Sequence, residues 1–110
     1  MVKLPDMALQ KITSNELEEL ISSGKRFVAI FSTDWCGFCR SLIKEIERKG
    51  IGLEVVIVDI SDESDPAWEA YRIDMVPTAL LFNGGREAAR KTPGWDGLSF
   101  TDVRGLLEQA

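Results

Sequence analysis

Residues 35–39, Trp35-Cys36-Gly37-Phe38-Cys39, lie between a strand-like run, residues 26–32, and a helical run that ends near Lys49. They contain the only two cysteines of the chain. Residues three positions apart in the first turn of a helix have Cα atoms about 5 Å apart, which lies within the range that a disulfide requires. The two thiols can therefore form and break a disulfide with little movement of the backbone.

The position of each cysteine on the helix predicts a different chemistry for each sulfur. Cys36 lies at the helix N-terminus, where unpaired N–H groups and the positive end of the macrodipole favour a thiolate. Cys39 continues an apolar stripe with Leu42, Ile43 and Ile46, at the spacing of one helical face. A thiol on a buried stripe is protected and keeps its proton. We therefore predict that Cys36 is the nucleophile and Cys39 the resolving cysteine.

Two other uses of a closely spaced cysteine pair are a metal half-site and a static disulfide. A structural zinc site usually needs four ligands, whereas this chain has no third cysteine and no histidine. A zinc or iron-sulfur site would need carboxylates or a second subunit. A disulfide that closes a loop of a few residues constrains the unfolded chain little. The motif therefore favours redox chemistry, without a metal or cofactor.

Length, composition and charge restrict the classes of function. The 110 residues, of which 45% are hydrophobic and 28% charged, predict one domain over residues 1–110, with residues 1–7 as a loose lead-in. A net charge of -5 disfavours binding to nucleic acid. The sequence has neither a signal-peptide core nor about 18 consecutive apolar residues, so no membrane role is predicted. We expect a soluble, cytoplasmic protein, in which the cysteines would often be reduced.

Local patterns predict strands and helices in the order βαβαβαββα with a mixed sheet. Capping boxes begin the first helix at Thr13 and the last helix at Ser99. The apolar run 27–31 is typical of a central strand that is covered on both faces. The other predicted strands are residues 8–12, 53–60, 78–82 and 87–91, and a short helix is predicted from Pro66 to about Arg72.

The turns indicate how these strands pair. A strand, the helix that begins with the cysteine pair, and a second strand imply a right-handed parallel crossover between residues 27–31 and 53–60. Asn83-Gly84 is a hairpin signal, which predicts that residues 87–91 run antiparallel to residues 78–82.

Three features make the sequence resemble the thioredoxin family over nearly its whole length. They are the cysteine motif, the segment Val76-Pro77-Thr78 that opens a strand ending at Asn83-Gly84, and Gly94 just before the last helix. The resemblance implies an α/β thioredoxin fold, a central mixed sheet flanked by helices. In that family the proline matching Pro77 is cis and faces the cysteine pair, and an X-Pro bond adopts the cis form at little cost.

The resemblance also implies a groove beside the cysteines, formed by Trp35, the backbone of Val76 and Pro77, and the loop of Gly94 and Trp95. Gly37 and Phe38 of the motif would border it. A substrate segment would lie extended there and pair with the main chain of Val76, as an added strand pairs with a sheet edge. Alternatively, the two tryptophans simply cover the edge of the core.

The implied activity is thiol-disulfide oxidoreduction, with proteins that contain disulfides as substrates. Cys36 attacks a substrate disulfide, and Cys39 then displaces the reduced substrate. A thioredoxin reductase-like donor would restore the dithiol of a monomeric protein. The alternatives are a net oxidase or isomerase, a non-catalytic adaptor with the same fold, and a metal or cluster carrier that bridges two subunits.

The sequence departs from the family pattern at two places. Phe38 stands where proline is usual, which leaves a backbone N–H free at the helix start. Ile30 and Ile57 occupy the places of a buried aspartate and lysine that many thioredoxins have, so the usual proton acceptor for the second thiol is missing. Asp34 is the nearest replacement candidate, although it is equally interpreted as a solvated turn residue, and water could also accept the proton.

Overall fold

The structure is a computed structural model that describes residues 9–109. Its strands are β1 (Gln10–Ile12), β2 (Phe27–Ser32), β3 (Val55–Asp59), β4 (Thr78–Asn83) and β5 (Arg86–Lys91). Its helices are α1 (Ser14–Ser22), α2 (Gly37–Lys49), α3 (Ala67–Ala70) and α4 (Phe100–Gly105), and a 3₁₀ turn, Leu106–Glu108, follows α4. None of the helices in this part of the chain is both long and apolar enough to cross a membrane.

The five strands form one mixed sheet in the order β1-β3-β2-β4-β5. Strands β1 and β2 run parallel to β3, whereas β4 runs antiparallel to β2 and to β5. The predicted parallel crossover through α2, the first predicted strand and the hairpin at Asn83-Gly84 are therefore confirmed, and the first strand lies at one edge of the sheet. This arrangement is the predicted thioredoxin fold.

Strand β2 is buried along its whole length because helices cover both faces of the sheet. Side chains of a strand alternate between the two faces. Phe31 packs in the core on the side of α1, together with Leu17. Val28 and Ile30 point to the other side, where Leu42 of α2 belongs to the same cluster. Helix α2 is thereby held against the sheet, and its first turn lies at the C-terminal end of β2.

The two predicted capping boxes are present. The N–H of Glu16 donates to Oγ1 of Thr13 over 3.1 Å, and the N–H of Thr13 donates to the Glu16 carboxylate over 2.8 Å. Ser99 and Asp102 make the same reciprocal pair at the start of α4. Each pair satisfies N–H groups that the first turn of a helix would otherwise leave without a partner.

Several predicted boundaries were wrong by a few residues. Strand β3 is shorter than residues 53–60 and ends at Asp59, whose carboxylate accepts a hydrogen bond from the N–H of Ser61 over 2.9 Å and so begins a turn. Helix α3 ends at Ala70, because Arg72 has a φ of +53°, outside the right-handed helical region. Pro66 immediately precedes this helix. The lead-in 1–7 and residue 8 of the first predicted strand lie outside the described residues.

Candidate functional site

Cys36 and Cys39 form a disulfide at the N-terminus of α2, with Cα atoms 5.2 Å apart. Cys36 is the N-cap residue and has an extended backbone, whereas Cys39 lies in the first helical turn. The Sγ atom of Cys36 accepts a hydrogen bond from the N–H of Cys39 over 3.1 Å. One of the amides that the helix start leaves free is therefore directed at the sulfur of Cys36, as expected for a helix N-cap.

The two sulfurs differ in burial. Cys39 is 1% exposed and shares its buried helix face with Leu42 and Ile46, while Ile43 is half-buried. Cys36 is 9% exposed. The apolar stripe predicted for α2 is confirmed. Of the two cysteines, Cys36 is the one that an incoming group reaches more easily.

The segment before β4 lies against the disulfide. The Val76–Pro77 peptide bond is cis, as the resemblance implies. The carbonyl oxygen of Val76 lies 3.8 Å from Sγ of Cys36. The hydroxyl of Thr78 donates to the carbonyl of Met75 over 2.6 Å, which closes the turn that presents Val76. The chain thus brings Cys36, Val76 and Pro77 together.

Four large apolar side chains are exposed on the segments next to the disulfide, and we call them the apolar surface. They are Trp35, Phe38, Met75 and Trp95, and Trp95 is 93% exposed. Trp95 therefore buries too little surface to cover the edge of the core, whereas Trp35 is 61% exposed. The sequence reasoning missed Met75, although its position next to Val76 could have indicated it. Exposed apolar groups of this size often mark a site that binds another protein.

Phe38 packs against the predicted loop of Gly94 and Trp95, in a contact with Gly97 that the sequence did not predict. Gly94 and Gly97 exchange two backbone hydrogen bonds, of 2.9 and 3.0 Å. A Cβ atom on Gly97 would lie only 2.8 Å from Cδ1 of Phe38, and Gly97 has a φ of +94°. The ring therefore occupies the space that any other residue at position 97 would need. Phe38, which stands where the family usually has proline, therefore connects the start of α2 to the loop that carries Trp95.

A cavity of about 320 Å³, the Cys39 pocket, lies beside Cys39. Thr33, Asp34, Cys39 and Ile57 contribute to its wall. Ile57 is the cross-strand neighbour of Ile30, and both isoleucines are buried. At positions 30 and 57 the sheet therefore carries apolar side chains, while Thr33 and Asp34 of the loop before Cys36 bring polar groups to the pocket.

The loop that carries Thr33 and Asp34 is held by hydrogen bonds of its backbone. The N–H of Cys36 donates to the carbonyl of Thr33 over 3.3 Å, and the N–H of Asp34 donates to Oγ of Ser61 over 2.8 Å. The carbonyl of Asp34 accepts from the guanidinium of Arg40 over 3.0 Å. The Asp34 side chain is exposed, and the residue borders the same pocket as Cys39.

The hydroxyl and the N–H of Ser61 both donate to the carboxylate of Asp59. These bonds stabilise the ionised carboxylate and lower the pKa of Asp59 below its ordinary value. Ser61 therefore links a charged carboxylate at the end of β3 to the loop before the cysteine pair.

Metal binding was another use considered for the cysteines. Across residues 9–109, no three His, Cys, Asp or Glu side chains lie close enough together to hold a metal ion. Both cysteine sulfurs are bonded to each other. A metal site at the motif would need ligands from outside this part of the chain.

Comparison with known proteins relates this site to one family. The family model described as Thioredoxin matches residues 8–98. The chain is 37% identical over 82 residues to a thioredoxin of Chlamydia pneumoniae, which covers 72% of this chain and 78% of that protein. The solved thioredoxin of Fasciola hepatica has a TM-score of 0.75 and 28% identity, and the match covers 93% of this chain and all of that one. A solved complex of ferredoxin:thioredoxin reductase with thioredoxin f2 shares the fold, with a TM-score of 0.77, 15% identity and 96% coverage of both chains.

Proposed function

This chain belongs to the thioredoxin family, and from that membership we propose the role of each residue at its site. The chain is a thiol-disulfide oxidoreductase that reduces protein disulfides, with Cys36–Cys39 as its redox-active disulfide. One observation carries the assignment of roles: the sulfur of Cys36 accepts an amide hydrogen bond at the start of α2 and lies beside Val76.

The proposed reaction has two exchanges. The Cys36 thiolate attacks one sulfur of the substrate disulfide, a Cys36–substrate bond forms, and the other substrate sulfur leaves as a thiolate that takes up a proton. Cys39 then loses its proton and attacks Sγ of Cys36. The second substrate thiolate leaves, and Cys36–Cys39 is oxidised by two electrons. Each exchange forms one S–S bond and breaks one.

The environment of the sulfurs supports this division of roles. The amide that donates to Cys36 and the N-terminal end of α2 stabilise negative charge on that sulfur, which lowers the pKa of a thiol in this position. Cys39 lies on the buried face of α2 and is shielded from external disulfides. A substrate therefore meets Cys36 first, and Cys39 reacts only within the mixed disulfide.

We assign substrate binding to the apolar surface and to the backbone around Cys36. An extended segment would pair with the main chain of Val76, because backbone pairing accepts many sequences. An apolar residue next to the substrate cysteine would contact Phe38 and Trp95. Pro77, Gly37 and Gly94 would leave room for the segment to approach. Trp35 and Met75 extend the same apolar contact.

The remaining assignments concern the partners and the setting of the protein. Once oxidised, the cysteine pair needs an electron donor, and the structural similarity to a thioredoxin f2 that is bound to a ferredoxin:thioredoxin reductase supports a reductase as that donor. We assign the protein a single domain over residues 1–110, a monomeric state and a cytoplasmic, reducing compartment. A reducing compartment favours turnover of the dithiol over a permanent disulfide.

Reduction of insulin by the protein with a thiol reductant tests these roles. We expect Cys36→Ser to abolish turnover and Cys39→Ser to accumulate a mixed disulfide on Cys36 that mass spectrometry detects. Ser41→Ala, on the exposed face of α2, is the matched control and should keep wild-type turnover. Wild-type turnover by Cys36→Ser would contradict the role of Cys36. Equilibration of the cysteine pair against glutathione distinguishes a net reductase from an oxidase or isomerase.

A further inference from the structure

The second exchange requires a place for the proton of Cys39. This thiol is 1% exposed, so bulk water reaches it poorly. Ile30 and Ile57 are neighbours across β2 and β3, and neither can accept a proton. The acceptor must therefore lie elsewhere around the Cys39 pocket. Its role rests on the proposed function, because it acts in the step in which Cys39 resolves the mixed disulfide.

Thr33 carries a buried hydroxyl whose role the fold does not explain. The residue is 5% exposed, and its Oγ1 atom has no hydrogen-bond partner among residues 9–109. A buried polar atom without a partner costs free energy, and most such atoms in folded proteins are paired with protein groups or with ordered water. Valine has nearly the same shape and would avoid this cost. The retained hydroxyl therefore indicates a hydrogen-bond partner that is not a protein group.

The position of Thr33 indicates what that partner is. Thr33, Asp34 and Cys39 all border the Cys39 pocket, whose volume is about 320 Å³. One water molecule takes up roughly 30 Å³ in the liquid, so the pocket has room for several. The three residues carry a hydroxyl, a thiol and a carboxylate, and a buried water typically makes about three hydrogen bonds.

The backbone fixes this hydroxyl relative to the cysteine pair. The carbonyl of Thr33 accepts the N–H of Cys36 over 3.3 Å, and the next residue is held by Ser61 over 2.8 Å. The loop therefore cannot shift without moving the N-cap of α2. This rigidity suits a group that must position a water beside a reacting thiol.

We propose that the Thr33 hydroxyl positions a water between Cys39 and the carboxylate of Asp34, and that the proton of Cys39 leaves by this route. As Cys39 attacks Sγ of Cys36, its proton passes to the water, and a proton of the water passes to Asp34 and then to solvent. The bond between Cys36 and the substrate sulfur breaks, and the substrate leaves as a thiolate. Thr33 is thus a positioning residue, and Asp34 is the acceptor.

Other charged groups border the pocket and enter the pH dependence. They are Lys11 of β1 and Arg40, Lys44 and Glu47 of α2. Glu47 is the rival acceptor, but its carboxylate already accepts the N–H of Leu9 over 3.0 Å. The hydrogen bonds of Asp34 to Ser61 and Arg40 use its backbone and do not occupy its exposed carboxylate.

Rapid mixing of the reduced protein with a symmetric aromatic disulfide separates the two exchanges, because each releases one coloured thiolate. We expect Thr33→Val to leave the first phase unchanged and to slow the second about tenfold or more at neutral pH, within the usual size of a proton-transfer contribution. The difference should shrink at high pH, where hydroxide takes the proton directly. Thr33→Ser, which keeps the hydroxyl, should retain the wild-type second phase.

Asp34→Asn should slow the same phase, whereas Glu47→Gln should not. A second phase of wild-type rate in Thr33→Val at every pH would overturn the proposal, and so would an equal slowing of both phases. A slow second phase in Glu47→Gln but not in Asp34→Asn would overturn the choice of acceptor. Failure of the proposed function gives a different result, because the wild-type protein would then lack the first phase or form its mixed disulfide on Cys39.

Discussion

The two sulfurs of one disulfide have different surroundings, although a single helical turn separates them. Cys36 borders the cis Val76–Pro77 segment and the exposed side chains of the apolar surface. Cys39 borders a pocket whose wall includes Thr33 and Asp34 of the loop and Ile57 of β3. Under the proposed mechanism, contact with another protein and resolution of the mixed disulfide would therefore depend on separate groups of residues. We call the surroundings of Cys36 the Cys36 side and those of Cys39 the Cys39 side. Substitutions on the Cys36 side should therefore leave resolution of the mixed disulfide intact, and substitutions on the Cys39 side should leave substrate binding intact.

The largest effect is expected at Gly97, where the Phe38 ring fills the space that a Cβ would need. Gly97→Ala should lower the free energy of unfolding by about 2–4 kcal/mol, because a Cβ meets the Phe38 ring and alanine disfavours a positive φ. Gly105→Ala is the matched control, since nothing lies within 4 Å of its Cβ position and its φ is not positive. Urea unfolding measures both. The addition of Phe38→Ala should recover part of the loss.

If Gly97→Ala is as stable as Gly105→Ala, the contact with Phe38 does not hold the loop. Phe38 would then not connect the start of α2 to the loop that carries Trp95.

A pair of tryptophans separates binding from stability. Trp95→Ala should raise KM for insulin about five- to tenfold, as expected when an interface tryptophan worth about 1 kcal/mol is lost, and should leave the free energy of unfolding unchanged. Trp68 is half-buried, and its indole N–H donates to the carbonyls of Ile60 and Asp62. Trp68→Ala should therefore destabilise the fold by about 2–3 kcal/mol with an unchanged KM.

Steady-state kinetics with insulin, together with urea unfolding of both variants, makes this test. An unchanged KM for Trp95→Ala would exclude this side chain from the surface that binds substrate.

The smallest effect concerns the loop that serves the Cys39 side. Hydrogen bonds from Ser61 lower the pKa of Asp59, so the folded state binds this proton less readily than the unfolded chain. The resulting stability is present above the unfolded pKa of about 4 and is lost as the pH falls through the lower, folded pKa. Asp59→Asn should therefore reduce the loss of stability below about pH 4, measured by urea unfolding.

Glu87 contributes to the same loss of stability at acid pH, which we call the acid limb, because its hydrogen bonds with Arg90 lower its pKa too. Asp59→Asn should thus remove only part of the pH dependence, and the double variant with Glu87→Gln should remove more. An acid limb identical to that of the wild type would show that the Asp59–Ser61 bonds do not stabilise the loop.

Local signals predicted most of the fold and the centre of the site. The capping boxes at Thr13 and Ser99, the apolar run of β2 and the hairpin at Asn83-Gly84 each depend on a few adjacent residues, so the sequence shows them directly. The spacing of the two cysteines and the X-Pro bond at Pro77 are likewise local signals, and they indicated the centre of the site. The end of α3 was missed because the positive φ of Arg72 has no local signature.

Features that need distant residues escaped prediction. The contact between Phe38 and Gly97 joins segments far apart in sequence, and neither residue alone indicates it. The Cys39 pocket likewise arises only when β1, β3 and α2 come together, and nothing in the sequence distinguishes Thr33 from other polar loop residues. The sequence indicated the two cysteines, whereas the positions of Phe38, Gly97 and Thr33 around them depend on the packing of distant segments.

The central claim is that the two thiols of the reduced protein ionise differently. Alkylation by iodoacetamide across pH 5–10, followed by mass spectrometry of each cysteine, measures this most directly. We expect Cys36 to be labelled first, with a midpoint well below the free cysteine pKa of about 8.5. Cys39 should stay unlabelled until higher pH. Labelling of Cys36 with the pH dependence of free cysteine, or labelling of Cys39 first, would contradict the claim.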